Sequence, residues 1–399
     1  MSRKEKAIAV GWQSSRTSFV PGSVGSVAPR SDLSVLVVDS SDRGGLARYT
    51  ERLVAALRDE GVAAHRAGPR GVGDPRLELA DRRWGADVES LGRLQLYALR
   101  LRELIPAVTS LRRAVVRSDP DIVHLQAEVV PKIDHLVLAR LRRRAGVVLT
   151  IHDPESMGER AQVLPSEVRR WRQADAVIVH SEESRVLVQA NAPALPVHVV
   201  PVDLDLSTTV VPRPEARGRL GLDDRRFALL LGFLRPYKGL DLLAAAWPAV
   251  HQARPDARLM LVGEPYPSQS LEELCRLDGV EMRAGFLPDE EVDFWAAAAD
   301  VLVMPYDRGS HSGVLNRAVA VGTPVLASPP LGEEVERTGA GLVVPLESGA
   351  WSDAIASALG PDPLPPPSPL AGGHTASATI DIYSDVLDRR SGAPGGRAP

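Results

Sequence analysis

Short runs of consecutive apolar residues recur along this chain. Each is followed by a polar loop and then by apolar residues at helical spacing. LSVLVVDS (33–40), DIVHLQ (121–126), VVLTIHD (147–153), AVIVHS (176–181) and VHVVPV (197–202) are the runs of the first half. Runs that are apolar on both faces are expected of strands buried in a parallel sheet. After the first of them, Leu46, Tyr49, Leu53, Ala56 and Leu57 mark the inner face of a helix. The pattern restarts at RFALLLG (226–232) and continues through ARLMLVGEP (257–265), VEMRAGFLP (280–288), VLVMP (301–305) and VLAS (325–328). Strands alternating with helices at this spacing predict an α/β fold of parallel sheets with right-handed crossovers.

The restart implies two domains, as does the length of 399 residues. The expected organisation begins with a disordered arm over 1–31 and a first domain over 32–205. A polar, proline-punctuated linker over 206–225 leads to a second domain over 226–360. A Pro-rich connector over 361–373, a final helix over 374–390 and a disordered tail over 391–399 close the chain. Residues 62–92 read as loop-rich. The stretch 91–119 reads as helix with a kink or break at Pro106.

Composition narrows the function. Hydrophobic residues at 44% and charged residues at 25% fit a soluble globular protein. A net charge of −4 and only 4% aromatics give no case for a nucleic-acid surface. The single cysteine, Cys275, excludes an internal disulfide framework and a thiolate-rich metal site, and fits a reducing compartment. No run is apolar enough for a spanning helix or a secretory signal, so a cytoplasmic protein is expected. Arg93, Arg100, Arg102, Arg112 and Arg113, with Arg140, Arg142, Arg143 and Arg144, fit either an anionic membrane face or acidic acceptor, or an ordinary solvated helix face.

Candidate chemistry lies where strands end. Gly44 and Gly45 sit at the first strand-to-helix turn, where backbone can approach a ligand closely. His152 and Asp153 end a buried strand, and an imidazole there could polarise a substrate group while the carboxylate fixes its tautomer. In GFLRPYKGL, Arg235 and Lys238 flank the start of a helix, two cations beside free amides in a loop suited to a phosphate or diphosphate. Ser312 stands as the N-cap of the helix GVLNRAVAV, which Gly322 closes and Pro324 keeps from continuing. The N-terminus of that helix is a second anion site.

Residues 226–358 resemble the donor-binding domain of retaining glycosyltransferases of family 4. The resemblance runs through GFLRPYKGLDLL, RLMLVGEP, VEMRAGFLPDEEV, SGVLNRAVAVGTPVLAS and GEEVERTGAGLVVP. GGLARYTERLVAAL, DPDIVHLQ, VVLTIHD, ADAVIVHS and VHVVP extend it through the first half. It implies the GT-B architecture, two Rossmann-like domains facing a central cleft. It also implies transfer of a sugar from a nucleotide diphosphate sugar with retention at the anomeric carbon, without cofactor or bound metal. The acceptor would be a small molecule, a polysaccharide or a lipid-linked glycan. On that analogy Arg235 and Lys238 hold the diphosphate, and Gly44 and Gly45 cover it from the first domain. Ser312, Gly313, Val314 and Asn316 touch phosphate or sugar, with Glu333 in the acidic stretch that follows. Gly285 and Phe286 lie near the base, and His152 faces the donor sugar.

The chain departs from the family in two places. Two glutamates common in the family, eight residues apart, align with Gly309 and Arg317. A subset with an S-G-V loop also lacks them, and Asp307 is the nearest substitute for the first. Arg317 cannot accept hydrogen bonds from a ribose. Phe233 stands where the commoner loop has arginine, leaving Arg235 to act in its place. Two further readings are a GT-B scaffold without activity that binds a partner or nucleotide, and a sugar-nucleotide epimerase, whose carboxylates and histidines would have to come from His152, Asp153, Glu333 and Glu334.

Overall fold

Two six-stranded parallel sheets account for the alternating pattern. The computed structural model describes residues 33–41, 44–71, 74–80, 92–128, 134–154, 162–202, 211–309, 311–367 and 374–392. The predicted N-terminal arm, the start of the linker, the end of the Pro-rich connector and the tail beyond residue 392 lie outside the described residues.

The first half runs β1 (Ser34–Val38), α1 (Gly44–Asp59), β2 (Ala63–Ala67), α2 (Arg93–Ser118), β3 (Ile122–Leu125) and α3 (Asp134–Leu141). It continues through β4 (Gly146–Thr150), α4 (Pro165–Trp171), β5 (Ala176–Val179), α5 (Glu182–Asn191) and β6 (Val197–Val199). Its strands lie in the order β2-β1-β3-β4-β5-β6. Alternate residues of each strand face opposite sides, so Leu36, Val123 and Leu149 meet α2 to α5 while Val35, Ile122 and Val148 face α1. α2 continues without a break through Pro106. The proline removes one backbone hydrogen bond, but Ala107, Leu111, Ala114 and Val115 are packed into the core and keep the helix intact.

The second half runs α6 (Arg213–Leu220), β7 (Phe227–Leu231), α7 (Leu240–Ala253), β8 (Arg258–Gly263), α8 (Gln269–Cys275), β9 (Val280–Ala284) and α9 (Asp289–Ala298). Then come β10 (Val301–Met304), α10 (Gly313–Val321), β11 (Val325–Ala327), α11 (Gly332–Thr338), β12 (Gly341–Val343) and α12 (Ser348–Ala358). The strand order is β12-β11-β10-β7-β8-β9. The stretch read as a linker contains α6, which belongs to the second domain. Ala216 is buried in that core, and Asp300 accepts from Arg213, from Arg217 and from the Phe227 amide, each at 2.9 Å.

The last helix, α13 (His374–Ser391), returns to the first domain. Ile382, Tyr383 and Val386 pack beside α1 on the sheet face that Val35 and Ile122 present. Burying three such side chains contributes roughly 1.5–3 kcal/mol each. Among the described residues no helix is long and apolar enough to cross a membrane.

Candidate active site

In the second sheet β7 lies between β10 and β8, so the chain departs to opposite sides from neighbouring strands β7 and β10. A crevice opens outside the C-terminal ends at such a point, where α/β sheets bind ligands. The loops leaving β7 and β10 form its walls. β1 and β3 make the equivalent point in the first sheet. The two crevices meet in one interdomain cavity of about 320 Å³.

Two helix N-termini open into it. α1 contributes Gly44 and Gly45, and α10 contributes Gly313 and Val314 behind Ser312. Gly44 has φ +84°, a left-handed turn that favours glycine, and a Cβ there would lie 3.7 Å from the Phe233 ring of the opposite domain. Around Gly45 and Gly313 an added Cβ would meet nothing within 4 Å. Unpaired amides and the positive ends of two helix dipoles thus converge on one space.

Lys238 also lines the cavity, though its side chain is buried. Its Nζ donates to the Leu231 carbonyl at 2.7 Å and lies 5.2 Å from the Tyr306 ring centre. Burial, with a smaller contribution from Arg235, lowers this ammonium to about 7. An arriving anion would restore its charge. Arg235 is exposed and outside the cavity lining, its guanidinium 5.9 Å from the Phe233 ring centre and 5.7 Å from that of Tyr266.

The other predicted residues divide. Asp153, Gly285, Phe286, Ser312 and Asn316 line the cavity. Asp153 is raised to about 6 by burial. His152 is not in the lining, and its ring neighbours Gln126 and His180 rather than Asp153: Nε2 is 3.1 Å from Gln126 Oε1, and Nδ1 is 3.1 Å from His180 Nε2. The neighbouring residues His152 and Asp153 therefore point to different surroundings. Asp307 is paired with Arg308 at 2.7 Å outside the lining. Glu333 faces the first domain, 3.3 Å from the Glu182 amide. Its neighbour Glu334 is buried and accepts from the Ser312 amide at 2.8 Å, with its carboxyl pushed up to about 8 by burial.

Arg48, Arg52, Tyr49 and His311 all line the cavity, although the sequence pattern marked Tyr49 only as a helix core position and the other three not at all. The first three lie one and two turns into α1, a register that the position of Gly44 already implied. His311 sits in the polar loop before Ser312, and no pattern singled it out. Arg317 lines the cavity too, but its guanidinium is spent on Asp293 at 2.5 Å and on the Asp289 backbone carbonyl at 2.9 Å.

Residues 43–207 match the family described as Glycosyltransferase Family 4, and residues 225–360 match Glycosyl transferases group 1. Both halves are glycosyltransferase domains. The sucrose-phosphate synthase of Thermosynechococcus elongatus superposes with a TM-score of 0.65 at 20% identity, covering 90% of this chain and 98% of that one, which supports the GT-B fold. The chain is 32% identical over 245 residues to the GDP-mannose-dependent alpha-(1-6)-phosphatidylinositol monomannoside mannosyltransferase of Mycolicibacterium smegmatis. That match covers 56% of this chain and 63% of the relative, so it spans less than two thirds of the relative's length. It is 26% identical over 396 residues to the D-inositol 3-phosphate glycosyltransferase of Pseudarthrobacter chlorophenolicus, covering 88% and 93%. The two matches leave residues 208–224 between them, the stretch that contains α6.

Proposed function

We propose that this protein transfers a sugar from a nucleotide diphosphate sugar to an acceptor, with retention at the anomeric carbon. The observation that carries the reading is the convergence of two helix N-termini and the buried Lys238 on one interdomain cavity. In the reaction, the bond from the anomeric carbon to the diphosphate oxygen breaks and a bond to the acceptor oxygen forms. The acceptor proton leaves with the diphosphate or on a nearby carboxylate. Negative charge grows on the departing diphosphate, where the fixed amides and Lys238 are aimed, and such preorganised electrostatics commonly lowers a reaction barrier more than any other single effect. Asp153, with its raised carboxyl, is suited to hold the acceptor hydroxyl. Gly285 and Phe286 offer a backbone edge and a ring for the base. This transfer uses side chains and amides alone.

The relatives' names make GDP-mannose the first donor to try, and inositol phosphates or inositol lipids the first acceptors. The test is a calorimetric panel of GDP, UDP, ADP and TDP with their sugar conjugates, followed by donor turnover with inositol phosphate. Tight binding of one diphosphate with sugar released or transferred supports the proposal. Binding without turnover under any acceptor would point to the inactive scaffold. An epimerised donor would point to the epimerase.

A further inference from the structure

Three histidines from both domains crowd together beside the cavity. His152 follows β4, His180 follows β5, and His311 lies in the loop that carries β10 into α10. One ring nitrogen from each lies within 4.8 Å of the others. Ring centres are 4.9 Å apart for His152 and His180, and 4.8 Å for His180 and His311. Tyr49 closes one side, its ring 5.0 Å from His152 and 5.4 Å from His180.

The outer hydrogen bonds decide where the protons are. His180 Nδ1 is 2.8 Å from the Val200 carbonyl, which can only accept, so Nδ1 carries the hydrogen. His152 Nε2 is 3.1 Å from Gln126 Oε1, also an acceptor, and Gln126 is held in that orientation by its own amide nitrogen, 3.2 Å from His124 Nε2. Both neutral rings therefore turn bare lone pairs inward, and His152 Nδ1 and His180 Nε2 meet at 3.1 Å. Two acceptors facing at that distance repel unless something positive lies between or beside them. His311 adds Nδ1, which is buried and has no hydrogen-bond partner.

We propose that His152, His180 and His311 form a binding site for a divalent transition ion of the zinc type, joining the two domains. Three imidazoles, two of them with an outer N–H tied to a carbonyl oxygen, are a usual zinc ligand set with its usual supporting bonds. With bonds of about 2.0–2.1 Å, ligand nitrogens of a tetrahedral ion stand roughly 3.3 Å apart, near the separation already held by His152 and His180. From a separation within 4.8 Å, His311 has to close in by up to about 1.5 Å, a loop adjustment. A small cavity of about 10 Å³, lined by His180, His311, Glu333 and Glu334, leaves a fourth position for one water or for Glu333. Because His311 directly precedes Ser312, the ion would also fix the entrance to α10. The site stands whether or not the cavity binds a nucleotide.

The test strips the full chain with a chelator, then titrates it with zinc and, for its visible spectrum, cobalt. The expected result is one ion per chain, a tetrahedral cobalt spectrum and a rise in melting temperature. His311→Ala and His180→Gln should abolish the spectrum, and Gln126→Ala, which releases the His152 ring, should weaken binding about 10- to 100-fold. His135→Ala, outside the cluster, is the control. Circular dichroism checks each variant's fold, and if His180→Gln unfolds, His311→Ala at the cavity edge carries the test. No cobalt spectrum with the folded wild-type chain, or an unchanged one in His311→Ala, overturns the site and would mean that a proton on His152 bridges the rings.

Discussion

Arg48 of α1 meets Asp289 of α9 at 2.5 Å across the interdomain cleft, and Asp289 also lies 3.6 Å from the Arg317 guanidinium. One carboxylate thus links a first-domain arginine to an arginine that the second domain keeps buried. The Asp289 side chain remains 57% exposed, which limits what the bridge adds to stability.

Removing this bridge should alter the separation of the domains more than the fold. Arg48→Met is expected to cost less than about 1 kcal/mol in unfolding while enlarging the radius of gyration of the ligand-free chain in small-angle scattering. A loss of several kcal/mol, or unchanged scattering, would show that the bridge does not govern closure.

Lys238 makes a pH-dependent prediction. Its folded value of about 7 lies below the ordinary 10.5, so between those values the unfolded chain binds more protons. Stability should therefore rise as pH increases through that window, and the rise should vanish in Lys238→Met. The same substitution should weaken nucleotide diphosphate binding at least tenfold and leave nucleoside binding unchanged. Arg235→Ala, outside the cavity lining, should lose less. Calorimetry in buffers of different ionisation enthalpy should show proton uptake on diphosphate binding to the wild type at pH 8 and none in Lys238→Met.

Two glycines separate folding from binding. Gly263 has φ +140°, and a Cβ there would lie 2.0 Å from the Gly232 carbonyl oxygen, so Gly263→Ala should cost at least about 1–3 kcal/mol in chemical denaturation. Gly313→Ala meets nothing in the protein and should leave denaturation unchanged. It should still weaken donor binding, because a methyl group would stand where the ligand approaches the α10 amides.

The buried pair of His124 and Tyr383 allows an acid test. His124 Nδ1 lies 2.6 Å from the Tyr383 hydroxyl, and burial lowers the imidazole to about 3. Below its ordinary 6.5 the unfolded chain takes up a proton that the folded chain refuses, so stability should fall as pH drops from 6.5 towards 3. Tyr383→Phe should cost about 1–3 kcal/mol at neutral pH, the usual penalty for an unpaired buried polar group. Urea titrations at several pH values measure both effects.

The strands, their alternation and the two-domain division were legible because buried parallel strands are apolar on both faces and so leave an uninterrupted signal. Lys238, Gly44, Gly45 and the start of α10 were legible for a related reason, since a strand's C-terminal end is a fixed place in this topology. Side-chain direction was not. His152 and Asp153 are neighbours in sequence, yet one joins a histidine cluster and the other faces the cavity. The charges of Arg235 and Asp307 promised a ligand role, but Arg235 lies over two aromatic rings and Asp307 pairs with Arg308. The helix α6 was hidden because its stability comes from Asp300, about eighty residues away, rather than from its own apolar pattern.

The return of α13 makes the first domain discontinuous in sequence. Thr375 donates to the Pro201 carbonyl at 3.0 Å, so the segment that leaves this domain and the one that re-enters it are fastened side by side. A fragment ending near residue 205 would carry all six strands of the first sheet and yet expose the apolar surface that Ile382, Tyr383 and Val386 cover. Such a fragment should aggregate alone and be rescued by a peptide spanning 374–391. A new pair of termini joined through that helix, by contrast, would make the first domain a single stretch of chain.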